Sequence, residues 1–453
     1  MRKKRSPRSH KKNKRVLEQI NHNAAGVDMG SDTVWVCVGE HLSDTPVRTF
    51  GTTTAQLKAS AEWMREVGVD TVAMEATGVY WVPAYEIYEE YGLRPILINS
   101  RTIQTVNGMK KSDFIDCQWI QLLHTFGILQ RSVRAEAVMI ELRGYMRQRR
   151  TLTEQCSENI QRMQKALTLM NVRLDQAVTD ITGATGMSIL RAIVEQGERN
   201  PAKLAALRDP GCARSEEQIA EALSGHWRDE QLFVLGQTLK LWDFCRQLVR
   251  ECDQKIEGLL GELPVRGSCE RVPSKAKPRK NQVSFDGRTL LGERLGVDLV
   301  AIKGLDVLTI LTVISESGID LSRFPTDKHY VSWLGLAPGT KKSGHGVLSA
   351  RSRRTTNRAA TALRLAAQSL LKSNSELGAF GRALRARIGA EKAITAVAAK
   401  LARRIYLSLQ TGRVYEDRGS DYHHEQHRHR SLASLRKRAR RFGLQLVPLE
   451  KCA

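Results

Sequence analysis

The stretch "AAGVDMGSDTVWVCVGE", residues 24–40, decides the fold. Small and β-branched residues alternate on either side of Gly30-Ser31-Asp32, the pattern of two strands joined by a turn. Working outward, "VRTFGTTT" (47–54) reads as a third strand, and "AQLKASAEWMREVGV" (55–69) has apolar residues at helical spacing. "DTVAMEATGV" (70–79) is a strand running into a glycine, "YWVPAYEIYEEYGL" (80–93) is helical and "RPILINS" (94–100) is a strand. A helical pattern returns from about Lys111 to Leu129. Strands followed by β-α-β-α alternation over ~110 residues predict a mixed-sheet α/β domain.

Beyond it the character changes. Met139, Leu142, Met146, Cys156, Ile160, Met163, Leu167, Met170, Leu174 and Ile181 follow alternating steps of three and four, with Arg149 and Thr153 interrupting the seam. This predicts a long coiled-coil helix, inter-subunit or folded as a hairpin, with an ordinary amphipathic core helix as the alternative. Residues 187–262 read as all-helical, 264–292 as a basic, turn-rich linker or nucleic-acid-facing loop, and 328–412 as helices around a glycine-rich loop. "IKGL" (302–305), between two short apolar helices, weakly matches a backbone-gripping helical hairpin, and a plain helical turn is the simpler reading. The expected organisation is a basic arm (1–22), a catalytic α/β domain (23–131), a coiled coil (132–182), a helical region with a basic linker (183–292), a mostly helical C-terminal domain (293–412) and a basic tail (413–453).

The net charge of +23 over 453 residues is concentrated. Residues 1–15 carry nine Lys/Arg and no acid, and residues 428–441 carry seven and no acid. Such blocks bind polyanions by releasing condensed counterions, which points to nucleic acid; a solubilising tail is the bland alternative. No window is apolar and long enough to span a bilayer, and the basic N-terminus lacks a signal peptide's apolar stretch. The expected place is the cytoplasm, on the nucleoid. Eight scattered cysteines without a C-x-x-C pair argue against structural zinc and a disulfide framework.

Four acidic residues at three places share the α/β domain. Asp28 lies near the end of the first strand, Glu75 at the end of a later one, and "KKSDFIDCQWI" (110–120) puts Asp113 and Asp116 on one helical turn. Strand-end carboxylates aimed at one helix face form an oxygen-only cluster of the kind Mg²⁺ prefers, and a bound ion removes their mutual repulsion. Taken singly, each acid has a bland reading: a turn residue, an exposed strand end, a carboxylate favouring a helix dipole.

Strand-Asp, strand-Glu, then D-x-x-D on a helix resembles the DEDD domain of Holliday-junction resolvases, an RNase H-like (RuvC-like) fold. "GVDMG", "MEATGVYW" and "KKSDFIDC" resemble more closely the DEDD insertion-sequence transposases, with Cys117 where that family commonly has alanine. The resemblance implies a second domain with a nucleophilic serine in a motif like G-L-x-P-x-x-x-x-S-G. "GLAPGTKKSG" (335–344) matches it throughout and places Ser343 at the serine, and "NRAATALRLAAQSL" (357–370) is similar to the longer-chain subgroup. The likeness covers about residues 23–415.

It implies a site-specific DNA recombinase of a mobile element, guided by a structured non-coding (bridge) RNA that pairs with donor and target DNA. Asp28, Glu75, Asp113 and Asp116 would hold Mg²⁺, or Mn²⁺ in its place, and Ser343 would attack the phosphodiester. Family members form dimers that pair into tetramers, the acidic domain of one subunit meeting the serine domain of another. Independently of the family, a serine in a Gly-flanked loop is exposed, and Lys341, Lys342, Arg351, Arg353, Arg354 and Arg358 suit a scissile phosphate and its neighbours. A serine hydroxyl needs its proton removed or a metal nearby, and no Ser-His-Asp pattern is apparent. His345, two residues away, reads more simply as a solvated loop histidine. His423 and His427 stand one helical turn apart, but "HHEQHRH" (423–429) reads as a basic, disordered tail rather than a metal site. Two rival functions stay open: a Mg²⁺-dependent structure-specific nuclease using the acids alone, and a non-catalytic nucleic-acid scaffold.

Overall fold

The computed structural model describes residues 18–76, 78–98, 112–129, 136–268, 280–344 and 346–447. Most of the basic arm, the middle of the 264–292 segment, His345 and the last six residues lie outside the described residues. The chain divides into two compact units, one ending at Arg134 and the other beginning at Ala135.

The first unit is built on a five-stranded sheet of order β3-β2-β1-β4-β5. Its strands are β1 (Ala24–Met29), β2 (Thr33–Cys37), β3 (Val47–Gly51), β4 (Thr71–Glu75) and β5 (Arg94–Ile98). β1 to β3 form an antiparallel meander, while β4 pairs parallel to β1 and β5 parallel to β4. The turn falls at Gly30 as expected, whose N–H donates to the Thr33 carbonyl. The parallel pairs need crossovers, supplied by α1 (Thr54–Glu66) and α2 (Trp81–Glu90). Both cover one face, burying Val27, Val36, Leu57, Met64, Val72, Met74 and Tyr88. The opposite face carries α3 (Asp113–Thr125), whose Ile120 packs with Ala73, Ile96 and Ile98. This mixed α/β layer is consistent with an RNase H-like fold.

α3 starts where the sequence provides a cap: the Ser112 hydroxyl accepts from the Ile115 N–H. Its far end is pinned by His124, buried and in contact with the Thr71 hydroxyl at 3.0 Å. Between these ends the helix presses on β1 at Gly26. A methyl group there would collide with the backbone nitrogen of Gln121 and the carbonyl oxygen of Cys117. Only glycine lets the helix sit so close.

The second unit is mostly helical. α4 (Ala137–Leu169) is followed by four short helices, α5 (Leu174–Ala177), α6 (Ala184–Glu195), α7 (Pro201–Ala205) and α8 (Glu216–Leu223), and by α9 (Asp229–Glu262). α4 and α9 lie antiparallel. Met139 and Leu142 meet Ile256 and Leu260 at one end, Cys156 meets Cys245 in the middle, and Met163 shares a cluster with Leu239 at the other. The seam expected to run to Ile181 stops at Leu169, where Met170 caps the helix and Asn171 takes a φ of 55°. Arg149, the interruption in that seam, is buried and paired with Asp253 at 2.6 Å. Arg149 Nη2 donates to the carbonyls of Asn281 and Gln282, and the second Asp253 oxygen accepts from the N–H of Ser284. A buried pair persists only when its hydrogen bonds are filled in this way.

The base of the helical pair joins a larger core formed with α10 (Gly287–Leu295), α11 (Val307–Ser317), α12 (Asp327–Trp333), α13 (Arg358–Leu370) and α15 (Ala390–Thr411). α10 occupies part of the stretch expected to be linker. Only a three-residue 3₁₀ turn, Leu299–Ala301, precedes "IKGL", and Gly304 there faces Leu370 in the interior, so the plain-turn reading holds. Between α12 and α13 a two-stranded hairpin, β6 (Lys341–Ser343) and β7 (Gly346–Ser349), replaces the expected loop. α14 (Glu376–Ile388) and α16 (Gly419–Arg441) complete the unit. The expected disordered tail is therefore a helix over much of its length. Its His423 ring packs edge-on against Phe380, an anchor the charge pattern does not reveal. Among the described residues no helix is long and apolar enough to cross a membrane.

Candidate functional site: an acidic sheet rim and a serine hairpin

Side chains alternate along a strand, and that period assigns the acids to a face. In β1, Ala25 and Val27 enter the core under α1 and α2, so Gly26 and Asp28 face α3. In β4, Val72 and Met74 enter that same core, so Thr71, Ala73 and Glu75 face α3. The register pairs Val27 with Met74, which sets Asp28 and Glu75 side by side at the strand ends. β2 follows the same rule: Trp35, opposite Asp28, meets Phe114 of α3 edge-on at 6.1 Å.

α3 runs antiparallel to β1 and β4, since His124 at its end touches Thr71 at the start of β4. Its first turn, carrying Asp113 and Asp116, therefore reaches the end that bears Asp28 and Glu75. Asp28, Glu75 and Asp116 are half-buried, and Asp113 is exposed. The electrostatics show the four as neighbours: Asp28 is pushed up to about 6 by burial, then by the charges of Asp113, Asp116 and Glu75. Sequence and structure thus bring together all four predicted acids. Cys117, one residue past Asp116, points into the core and donates its thiol to the Phe114 carbonyl, so the departure from alanine stays off the rim.

The donor set is wholly oxygen, matching a hard divalent cation. Among the described residues no three His, Cys, Asp or Glu already stand in a coordination cage. The rim is a set of carboxylates within electrostatic range, whose mutual repulsion a cation would relieve.

The second predicted site is built differently. Gly335 ends α12 with a φ of 70°, and a Cβ there would meet the Thr355 Cβ at 2.9 Å. Leu336 follows, fully buried, and fastens the loop to the core. Pro338 bridges to Ser352, and the Gly339 N–H donates to the Arg351 carbonyl. Beyond this base the hairpin projects, with Lys341, Lys342 and Ser343 all exposed. Ser343 pairs with Gly346 across a turn in which Gly344 takes a φ of 55°.

The predicted cations divide. Lys341, Lys342 and Arg351 lie on the hairpin and its stem, exposed. Arg353 donates to the Ser332 carbonyl and braces the stem, and Arg354 is exposed beside it. Arg358 opens α13 and instead lines a cleft of about 930 Å³ with Arg143, Arg147 and Arg150. That cleft was not foreseen, because its arginines come from helices far apart in sequence. His423 and His427 stack at 6.4 Å on α16, and among the described residues no third His, Cys, Asp or Glu joins them in a metal-binding group. Burial, with His424 and Lys400 nearby, holds His423 below the usual imidazole range.

A model of DEDD-type insertion-sequence transposases matches residues 25–172, and one described as "Transposase IS116/IS110/IS902 family" matches residues 298–382. The chain is built from IS110-family transposase domains. The first match spans all four acids, and the second spans Ser343 and every predicted cation. Transposases of this kind cut and rejoin DNA. No curated protein matches the chain.

Proposed function

We propose that this transposase is a site-specific recombinase that cuts and rejoins element DNA through Ser343, with the acidic rim and the serine hairpin serving one reaction. The observation that carries the reading is the rim: β-strand alternation and the seating of α3 gather Asp28, Glu75, Asp113 and Asp116 at one edge of the sheet. Those four carboxylates would hold Mg²⁺ or Mn²⁺, which when bound lowers the pKa of an attacking hydroxyl and screens charge on a leaving oxygen.

The protein's own residues supply the rest. The Ser343 hydroxyl, exposed and without a hydrogen-bond partner among the described residues, forms a bond to phosphorus as it gives up its proton. The strand's other end departs as a free hydroxyl. The phosphoserine ester keeps the energy of the broken bond, so reversal of the step rejoins DNA without ATP. Lys341, Lys342 and Arg351 hold the phosphate and its neighbours. Sequence choice falls to a structured guide RNA paired with donor and target, the protein reading backbone and shape through its basic segments. The family's dimeric and tetrameric assembly is part of this reading.

Covalent trapping on end-labelled element DNA, with the transcript of the element's non-coding flank present, tests it. The full chain should yield a protein–DNA adduct that requires Mg²⁺, and Ser343→Ala should yield none. Metal-dependent cutting that survives this substitution would leave a hydrolytic nuclease as the function. Binding without reaction, even in Mn²⁺, would leave a scaffold.

A further inference from the structure

The serine hairpin has an irregularity that the family match does not explain. Lys342 pairs with Val347 and Ser343 with Gly346, but Lys341 pairs with Ser349. One residue of β7, Leu348, is therefore extra. It forms a bulge, which leaves a residue out of the ladder and re-aims its side chain. Leu348 is 72% exposed and its neighbour Val347 is 58% exposed. Two adjacent apolar side chains stand in water on a short hairpin, beside Lys341, Lys342 and Arg351.

We propose that Leu348 is a wedge: it enters the base stack beside the phosphate that Ser343 attacks and opens that step for strand exchange. The inference rests on the reading of Ser343 as the nucleophile and assigns a positioning residue to the same site. The surroundings specify the occupant. Cations on both sides of the apolar tip match a phosphate backbone running past it, whereas an apolar protein partner would leave them uncompensated. Apolar side chains of this size unstack and kink a duplex when basic neighbours hold its backbone, at a cost of a few kcal/mol per step. The bulge lies across the ladder from Lys341 and Lys342, two residues along β7 from Gly346, the partner of Ser343; that is roughly 7 Å of strand, about two base steps from the attacked phosphate.

The test uses the full chain, the flank transcript and duplex element DNA with 2-aminopurine at the exchanged step. The unaltered protein should raise 2-aminopurine fluorescence several-fold. Leu348→Ala should lose that rise and form adduct about tenfold more slowly on paired DNA. On a duplex mismatched at that step it should come within about twofold of the unaltered protein, because the unstacking is then already done. Leu348→Phe should keep the rise. The wedge is overturned if Leu348→Ala retains the fluorescence rise or the rate on paired DNA, or if the mismatch fails to rescue it. It is equally overturned if the substitution alone dissociates the protein in sedimentation, which would make a second copy the occupant. Ser343→Ala separates the two ideas: it should keep the fluorescence rise while losing the adduct. An adduct from Ser343→Ala would sink the nucleophile and leave the fluorescence result to judge Leu348.

Discussion

The acidic rim and the serine hairpin carry complementary chemistry on opposite kinds of scaffold. The rim sits on the ends of buried strands and on a helix held to the sheet at two points, the His124–Thr71 contact and the close approach at Gly26, so the backbone that carries its acids is tied to the domain core. The hairpin is tied at its base by Leu336, the Pro338–Ser352 bridge and Arg353, and beyond that it meets solvent. Repelling charges need a rigid frame to stay together. On the proposed function, a serine that must meet a helical polymer, carry its end and return it is better placed on a projecting element.

The comparison breaks most sharply at the chemistry. Ser343→Ala should abolish the covalent adduct, a loss of at least about 10³-fold in trapping yield, with no change in melting temperature because the side chain is solvated. Asp28→Asn should reduce adduct formation about 10²-fold or more yet raise the melting temperature in EDTA by roughly a few degrees, because it removes a half-buried charge repelled by three others. A fall in melting temperature would mean that Asp28 supports the fold instead of straining it.

Backbone substitutions sharpen the contrast. Gly26→Ala must push α3 off the sheet, which should cost about 1–3 kcal/mol and displace Asp113 and Asp116, seen as an earlier urea midpoint together with weaker Mg²⁺ dependence. Gly344→Ala strains one turn residue at positive φ, and its cost of about 1 kcal/mol falls on the hairpin alone. Adduct formation should slow with the urea midpoint unchanged. The smallest effect is on pH. Asp28 has a folded-state pKa of about 6, above its ordinary 3.8. A raised carboxyl favours the folded state below its unfolded pKa, and that contribution is lost as pH rises through the folded value. In EDTA the first unit should therefore lose stability between about pH 4 and pH 6, and Mg²⁺ at pH 7 should restore it.

The sheet and its acids were legible because strand alternation is a strict code. Once "GVDMG" and "AMEATG" are strands, the face of Asp28 and Glu75 follows from counting. The serine loop was legible as a motif, and the structure supplies its physics: Gly335 as a positive-φ stop, Leu336 as an anchor, Gly344 as a turn. What escaped depends on partners distant in the chain. Arg149 looked like a flaw in an apolar seam until Asp253, from the other long helix, filled the gap. Gly26 gave no hint that a helix some ninety residues later would lie against it. The bulge at Leu348 is a mismatch between two strands, and neither strand alone contains it.

The seating of α3 on Gly26 also limits how this sequence can vary. Each residue added to a helix turns everything beyond it by about 100° and lengthens it by about 1.5 Å. An insertion ahead of Ser112 leaves this seating unchanged, but an insertion between Asp116 and Gln121 would swing both aspartates away from the strands. Length polymorphism among relatives should stop abruptly at the capping serine, leaving the nine positions from Asp113 to Gln121 as a fixed ruler.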